Sequence, residues 1–204
     1  MNEEKRMAGE WEITHSIQIG TCEVVMGESP NNAKSPYIVA DCTRNTSFGF
    51  DEFKNVESSA DYLEVFEEFT KRLERNVNEL KQERTERNTG IEPLGYDCCI
   101  PSSEYGDYEG RVCIVKADKL RPEYRNASHQ LIYITGGNGA RADALGRACF
   151  SKELYSGKES RYNRTSILGI AYETKLPDWA KEKLSDIKKQ ERHEKKKDNR
   201  DKER

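Results

Sequence analysis

Apolar and polar positions alternate most clearly near the start of the chain. Trp11, Ile13, His15, Ile17 and Ile19 fall on one side of an extended segment, the period of two that marks a β-strand. Gly20 permits a bend, and residues 22–26 read as the second arm of a hairpin. Turn chemistry fills 27–35 (GESPNNAKS), a third strand follows at 37–43 (YIVADCT), and 47–50 adds a short extended piece. The period then changes. Tyr62, Phe66, Phe69, Leu73, Val77 and Leu80 recur every three or four residues, which predicts a helix over 59–86 with that stripe turned to the sheet. Ser58 with Asp61 three residues on gives a capping-box-like start.

The second half is less regular. Residues 88–110 read as a long loop, 111–117 (RVCIVKA) as a strand, and 119–125 (KLRPEYR) as a basic connector. Two further strands, 131–135 and 146–154, flank the glycine-rich segment 136–141 (GGNGAR), and 160–171 reads as a last strand. Pro177 opens a final helix whose apolar face is Ala180, Leu184 and Ile187. The pattern predicts an α+β fold: one domain over 11–187, with a mostly antiparallel sheet, one long central helix and a C-terminal helix. Residues 1–10 form a flexible leader, and 188–204 a charged disordered tail.

Charge sharpens this outline. Hydrophobic residues make up 34 % of the chain and charged ones 35 %, a polar balance for a globular protein. Residues 188–204 (KKQERHEKKKDNRDKER) hold nine Lys/Arg and five Asp/Glu, a net +4, so the whole-chain charge of −3 leaves −7 on 1–187. An acidic body argues against broad nucleic-acid binding and fits a protein that meets a basic surface. Six cysteines, at 22, 42, 98, 99, 113 and 149, form no C-x-x-C pair and read as reduced, mostly buried residues in a cytoplasmic protein. The charged opening MNEEKRMAGEWE gives no export signal, and no run is long enough to span a bilayer.

Candidate chemistry is sparse. Residues 137–142 match G-x-G-x-x-A by letter, but a dinucleotide site needs a helix directly behind the glycines, and Gly146 leaves no room for one. The expected structure is a hairpin or short loop, with no cofactor. His15, His129 and His193 are too far apart in sequence to suggest a metal site, and no nucleophile motif is present. Two surface candidates remain. Glu104, Tyr105, Asp107, Tyr108 and Glu109 mix aromatic area with negative charge, suited to a basic protein groove. Arg121 and Arg125, with Lys119 beside them and Arg141 and Arg147 near the glycines, are suited to an acidic partner or a phosphate.

QLIYITGGNGARADALGRACF, with RPEYR at 121–125 upstream and RYNRTSILGIA and LPDWAKEKL downstream, resembles a recurring family. It is similar to the small accessory proteins carried by conjugative elements and phages of gut Firmicutes. PYIVADCT and SSADYLEVFEEF fit the same pattern, so the likeness spans about 16–184. The resemblance implies a mobile-element cargo protein that blunts host defence, in the manner of type II-A anti-CRISPR proteins. The expected partner is a host RNA-guided nuclease or its guide-RNA complex, with weak nucleic-acid contact through the basic tail and no enzymatic activity. An accessory module that contacts DNA or a relaxase is the alternative, and a metal-dependent nuclease acting on RNA is the third reading.

Overall fold

The computed structural model describes residues 5–45, 50–102, 106–142 and 146–202. The fold is α+β, as the periodicities predict. Its contacts divide the chain into two compact units, Met1–Glu86 and Arg87–Arg204, where the sequence pattern drew one domain over 11–187.

The first unit is an antiparallel meander in sequence order: β1 (Met7–Ala8), β2 (Trp11–Ile19), β3 (Cys22–Glu28), β4 (Tyr37–Asn45) and β5 (Phe50–Ser59). Gly20, with φ at 64°, closes the β2–β3 hairpin. Val24 and Met26 of β3 and Val39 of β4 face helix α1 (Tyr62–Arg87) and pack on its Val65 and Phe69. Val25, Ala40 and Cys42 point to the opposite face, as strand alternation requires.

Helix α1 starts three residues later than the periodicity suggested. Asp61 is its cap: Oδ1 accepts the Leu63 amide at 2.8 Å, while Ser59 Oγ accepts the Asp61 amide at 3.0 Å. The helix is also rotated about its axis. Its buried residues are Val65, Phe69, Arg72 and Asn76, not the all-apolar stripe, and Tyr62 and Phe66 stay exposed. The cause is electrostatic. Arg72 donates to the Asn55 carbonyl at 2.7 Å, pairs with Glu57 at 2.5 Å and Glu68 at 2.9 Å, and lies 3.7 Å from Asp41. A buried guanidinium holds its place only with such a shell.

The second unit is a six-stranded antiparallel sheet in the order β10-β9-β8-β7-β11-β6. Its strands are β6 (Cys99–Pro101), β7 (Val112–Val115), β8 (Leu131–Gly136), β9 (Ala148–Glu153), β10 (Glu159–Asn163) and β11 (Ile167–Ala171). The extended run expected over 160–171 is two strands. A one-turn helix at Arg164–Ser166 breaks it, sending β10 to the sheet edge beside β9 and β11 between β7 and β6. The stretch read as a loop over 88–110 contributes β6. Gly169 of β11 lies so close to β6 that a Cβ there would sit 2.0 Å from the Ile100 carbonyl oxygen.

Both faces of this sheet are covered. Ile114, Leu131 and Leu168 pack with Leu176, Ala180 and Leu184 at the start of helix α3 (Asp178–Lys202). On the other face Cys113, Ile132, Ile134 and Cys149 pack with Tyr108 and Ala140. A short helix, α2 (Ala127–Gln130), precedes β8. Helix α3 runs on through the segment whose composition predicted a disordered tail. No described helix is long and apolar enough to cross a membrane.

Candidate functional site

The glycine-rich segment joins two antiparallel strands, β8 and β9, as the sequence suggested. Gly137 has φ at 104°, and a Cβ at that residue would lie 2.4 Å from the Ala148 carbonyl oxygen. Gly139 donates its amide to Ala148 at 2.8 Å, and Ala140 donates to Gly137 at 3.0 Å. Both amides are spent within the turn. The chain then enters β9, so the geometry of a dinucleotide loop, with free amides at a helix start, is not formed here.

Residues 106–111 dock along this turn. Tyr108 donates its amide to Ala140 at 2.8 Å, Gly110 to Ile134 at 2.9 Å, and Ile134 in turn to Arg111 at 3.0 Å. Arg164, just past β10, ties the two segments together. It donates to the Gly139 carbonyl at 2.6 Å and the Gly106 carbonyl at 2.5 Å, and its guanidinium carbon stands 4.2 Å from the centre of the Tyr108 ring. A third, longer bond reaches the Arg141 carbonyl at 3.3 Å.

The sequence-predicted contact residues therefore have different fates. Glu104 and Tyr105 lie outside the described residues. Tyr108 is 1 % exposed, with its hydroxyl 2.6 Å from Ser102 Oγ; it serves the interior and offers a partner no ring surface, which corrects its assignment to the contact patch. Asp107 and Glu109 are exposed. Asp107 accepts the Ala142 amide at 3.2 Å, and Glu109 meets Arg141 at 3.4 Å, an exposed ion pair that contributes little to stability. The fold thus gathers Asp107, Glu109 and Arg141 around the turn. Arg121 and Arg125 belong to a separate connector, where they flank the one-turn helix Pro122–Tyr124 and Arg125 donates to the Leu120 carbonyl at 3.1 Å.

Other polar groups were invisible in the sequence. Around α2, Ser128 donates to Asn126 Oδ1 at 2.7 Å, and the His129 ring lies 3.2 Å from the Ser128 hydroxyl and 3.1 Å from Arg87. The set has the residue types of a nucleophile and base. However, Ser128 is buried and its proton is committed to Asn126, so the set fixes the turn before β8. Burial pushes the Cys113 thiol up to about 12 and the Cys42 thiol up to about 11, which leaves both as unreactive thiols at neutral pH. Two surface grooves border α3. One, of about 510 Å³, is lined by Tyr133, Lys152, Tyr155, Lys183 and Ile187; the other, of about 480 Å³, by Leu176, Lys181, Leu184 and Lys188. Among the described residues, no group of three or more His, Cys, Asp or Glu is placed to hold a metal ion.

In the first unit Glu23 is buried and receives both guanidinium nitrogens of Arg6, at 2.8 and 2.7 Å, while Arg6 Nε bonds Asp51 at 2.8 Å. The Arg6 bonds, outweighing desolvation, hold the Glu23 carboxyl down from the ordinary 4.5 to about 2. Its folded-state value lies below the unfolded one, so its contribution is complete above about pH 4.5 and is lost as pH falls toward 2. The first unit is expected to lose about 3 kcal/mol across that window, and Glu23→Gln to flatten this acid limb; urea unfolding at stepped pH measures it.

Comparison with known protein families, with curated proteins and with solved structures finds no match.

Proposed function

We propose that the chain is a non-enzymatic inhibitor that binds a nucleic-acid-handling host enzyme, with a type II RNA-guided nuclease as its concrete target. One observation carries the reading: charge is segregated between the two compact units. Residues 1–86 hold 18 Asp/Glu against 10 Lys/Arg, a net −8, while residues 87–204 hold 24 Lys/Arg against 19 Asp/Glu, a net +5. The acidity assigned to the whole body thus belongs to the first unit. Its sheet and helix present it on a fixed scaffold, where Glu52, Glu57, Glu64, Glu67, Glu74 and Glu79 are all exposed.

A guided nuclease holds its heteroduplex in a positively charged channel, and a folded acidic surface competes for such a channel by the same long-range attraction that draws in nucleic acid. Asp107 and Glu109 add a second acidic point on the other unit. The resemblance to mobile-element cargo proteins points the same way. The test is plasmid cleavage by guide-loaded type II nucleases with increasing amounts of the protein. Cleavage should fall, and the inhibition should weaken between about 50 and 200 mM salt. Cleavage that stays unchanged across several such nucleases removes the proposal.

The second reading, an accessory module on DNA or a relaxase, draws on the helical course of α3 through the basic segment. Neutralising Lys195, Lys196 and Lys197 to Gln in the full chain separates the two. Loss of a salt-sensitive DNA gel shift would favour the accessory role.

A further inference from the structure

The rotation of α1 leaves an apolar edge without a covering element among the described residues. Leu63 is 71 % exposed, Phe66 40 % and Tyr62 39 %. All three lie in the first two turns of α1, with Leu63 three residues ahead of Phe66, and the rings form a row. Tyr62 stacks on Phe66 with ring centres 5.9 Å apart, Tyr37 meets Tyr62 edge-on at 5.3 Å, and Phe66 lies 6.2 Å from the buried Phe69 ring. Rings held this way present flat apolar area that loses little freedom on binding, which is the chemistry of an interface anchor. Single exposed apolar residues are ordinary on a protein surface; a supported aromatic row is less so.

The rim decides what fits. Asp61 at the cap of α1 and Glu64 and Glu67 on the same turns are exposed, and Glu67 pairs with Lys71 at 2.8 Å. A second copy would bring two net-negative units face to face, and a nucleic acid would add phosphates to the same acids; both meet repulsion. A cationic segment with apolar residues on one side meets complementary charge and a complementary surface.

We infer that the N-terminal half of α1, centred on Tyr62, Leu63 and Phe66, is the docking site for a cationic amphipathic segment of a partner protein. This deepens the proposed inhibition and takes the partner's basic character from that reading, while moving the principal contact from 104–109 to α1. Leu63 is the anchor to remove, because its exposure lets it change without disturbing the core.

The experiment has two arms on the full chain, each comparing wild type, Leu63→Lys and, as a control on the second unit, Ile91→Lys, which places the same charge at another exposed apolar residue. In the first, a fluorescein-labelled leucine/lysine amphipathic peptide is titrated by anisotropy beside its leucine/glutamate counterpart. The lysine peptide should bind wild type and Ile91→Lys alike, and about tenfold or more weakly to Leu63→Lys. Equal binding to Leu63→Lys, equal binding of the glutamate peptide, or a wild-type dimer in sedimentation that Leu63→Lys dissolves would each overturn the assignment.

The second arm repeats plasmid cleavage by the guide-loaded nuclease. Inhibition by wild type that Leu63→Lys retains in full defeats the docking site and leaves the inhibitor reading standing. Absence of inhibition, with Leu63-dependent peptide binding intact, defeats the inhibitor reading and leaves the docking site. Inhibition lost in Leu63→Lys supports both. Phe66→Ser, with its fold checked by circular dichroism, should reproduce the Leu63→Lys result.

Discussion

Replacing Arg72 with alanine is expected to destabilise the first unit by about 3–5 kcal/mol, the scale for breaking a buried ion pair from one side. The side chain is only 2 % exposed and serves Asp41, Glu57, Glu68 and the Asn55 carbonyl together. The loss is uneven among its partners. Glu57 and Glu68 reach solvent and can rehydrate; Asp41, at 13 % exposure, cannot do so readily. Its Oδ2 keeps the Asn55 side-chain amide at 2.7 Å and Arg75 at 3.5 Å, but its buried Oδ1 faces Arg72 at 3.7 Å and accepts no hydrogen bond among the described residues. Part of the cost should therefore come from the Asp41 Oδ1 left without its facing cation, and part from the Asn55 carbonyl left without its donor. Adding Asp41→Asn to Arg72→Ala should recover part of it. Urea unfolding followed by Trp11 fluorescence in a Trp179→Phe background reads the first unit, since the chain has two tryptophans. An Arg72→Ala cost below about 1 kcal/mol, the exposed-pair range, would mean that α1 is seated by its apolar contacts alone.

Arg164→Ala should have the next largest effect, about 2–3 kcal/mol on the second unit, because it strips donors from the Gly139 and Gly106 carbonyls and the cation from above Tyr108. Arg164→Lys should recover little. A single ammonium lacks the planar fork that reaches both carbonyls while stacking on a ring. Hydrogen exchange gives the sharper readout: the amides of Tyr108, Gly110 and Ala140 should lose protection, while those of Cys113 and Ile132 in the sheet keep theirs. Equal loss throughout the unit would place Arg164 in the global core instead of in a local clasp.

These two arginines also mark where the sequence stopped being legible. The β2–β3 hairpin, α1, the glycine turn and the start of α3 all announce themselves locally through alternation, a three-to-four spacing, glycines between apolar runs, or a proline ahead of a helix. Their positions came out close to expectation: α1 was expected over 59–86 and is found at Tyr62–Arg87. The orientation of α1 could not be read the same way. Its apolar residues describe one stripe, but the buried face is set by Arg72 meeting carboxylates on β4 and β5 that lie far away in sequence. Strand β5 was missed because, as the edge strand of its sheet, it carries charge on nearly every other residue (FDEFKNVESS) and has no second neighbour to demand an apolar pattern.

The 104–109 segment illustrates the same limit in the candidate site. Two tyrosines among acids suggested a surface in every respect, yet Tyr108 belongs to the core because Arg164, more than fifty residues on, closes over its ring. Composition likewise showed an acidic body and a basic tail. Only the division of contacts at Glu86 shows that the negative charge is concentrated in one unit.

The most direct measurement is association of the intact protein with an immobilised, guide-loaded type II nuclease, with target DNA added as a competitor at low and at raised salt. Competition for the nuclease's basic channel should give saturable capture that target DNA displaces and that weakens as ionic strength rises. Capture that persists alongside bound target DNA, or no capture at any salt concentration, would contradict it.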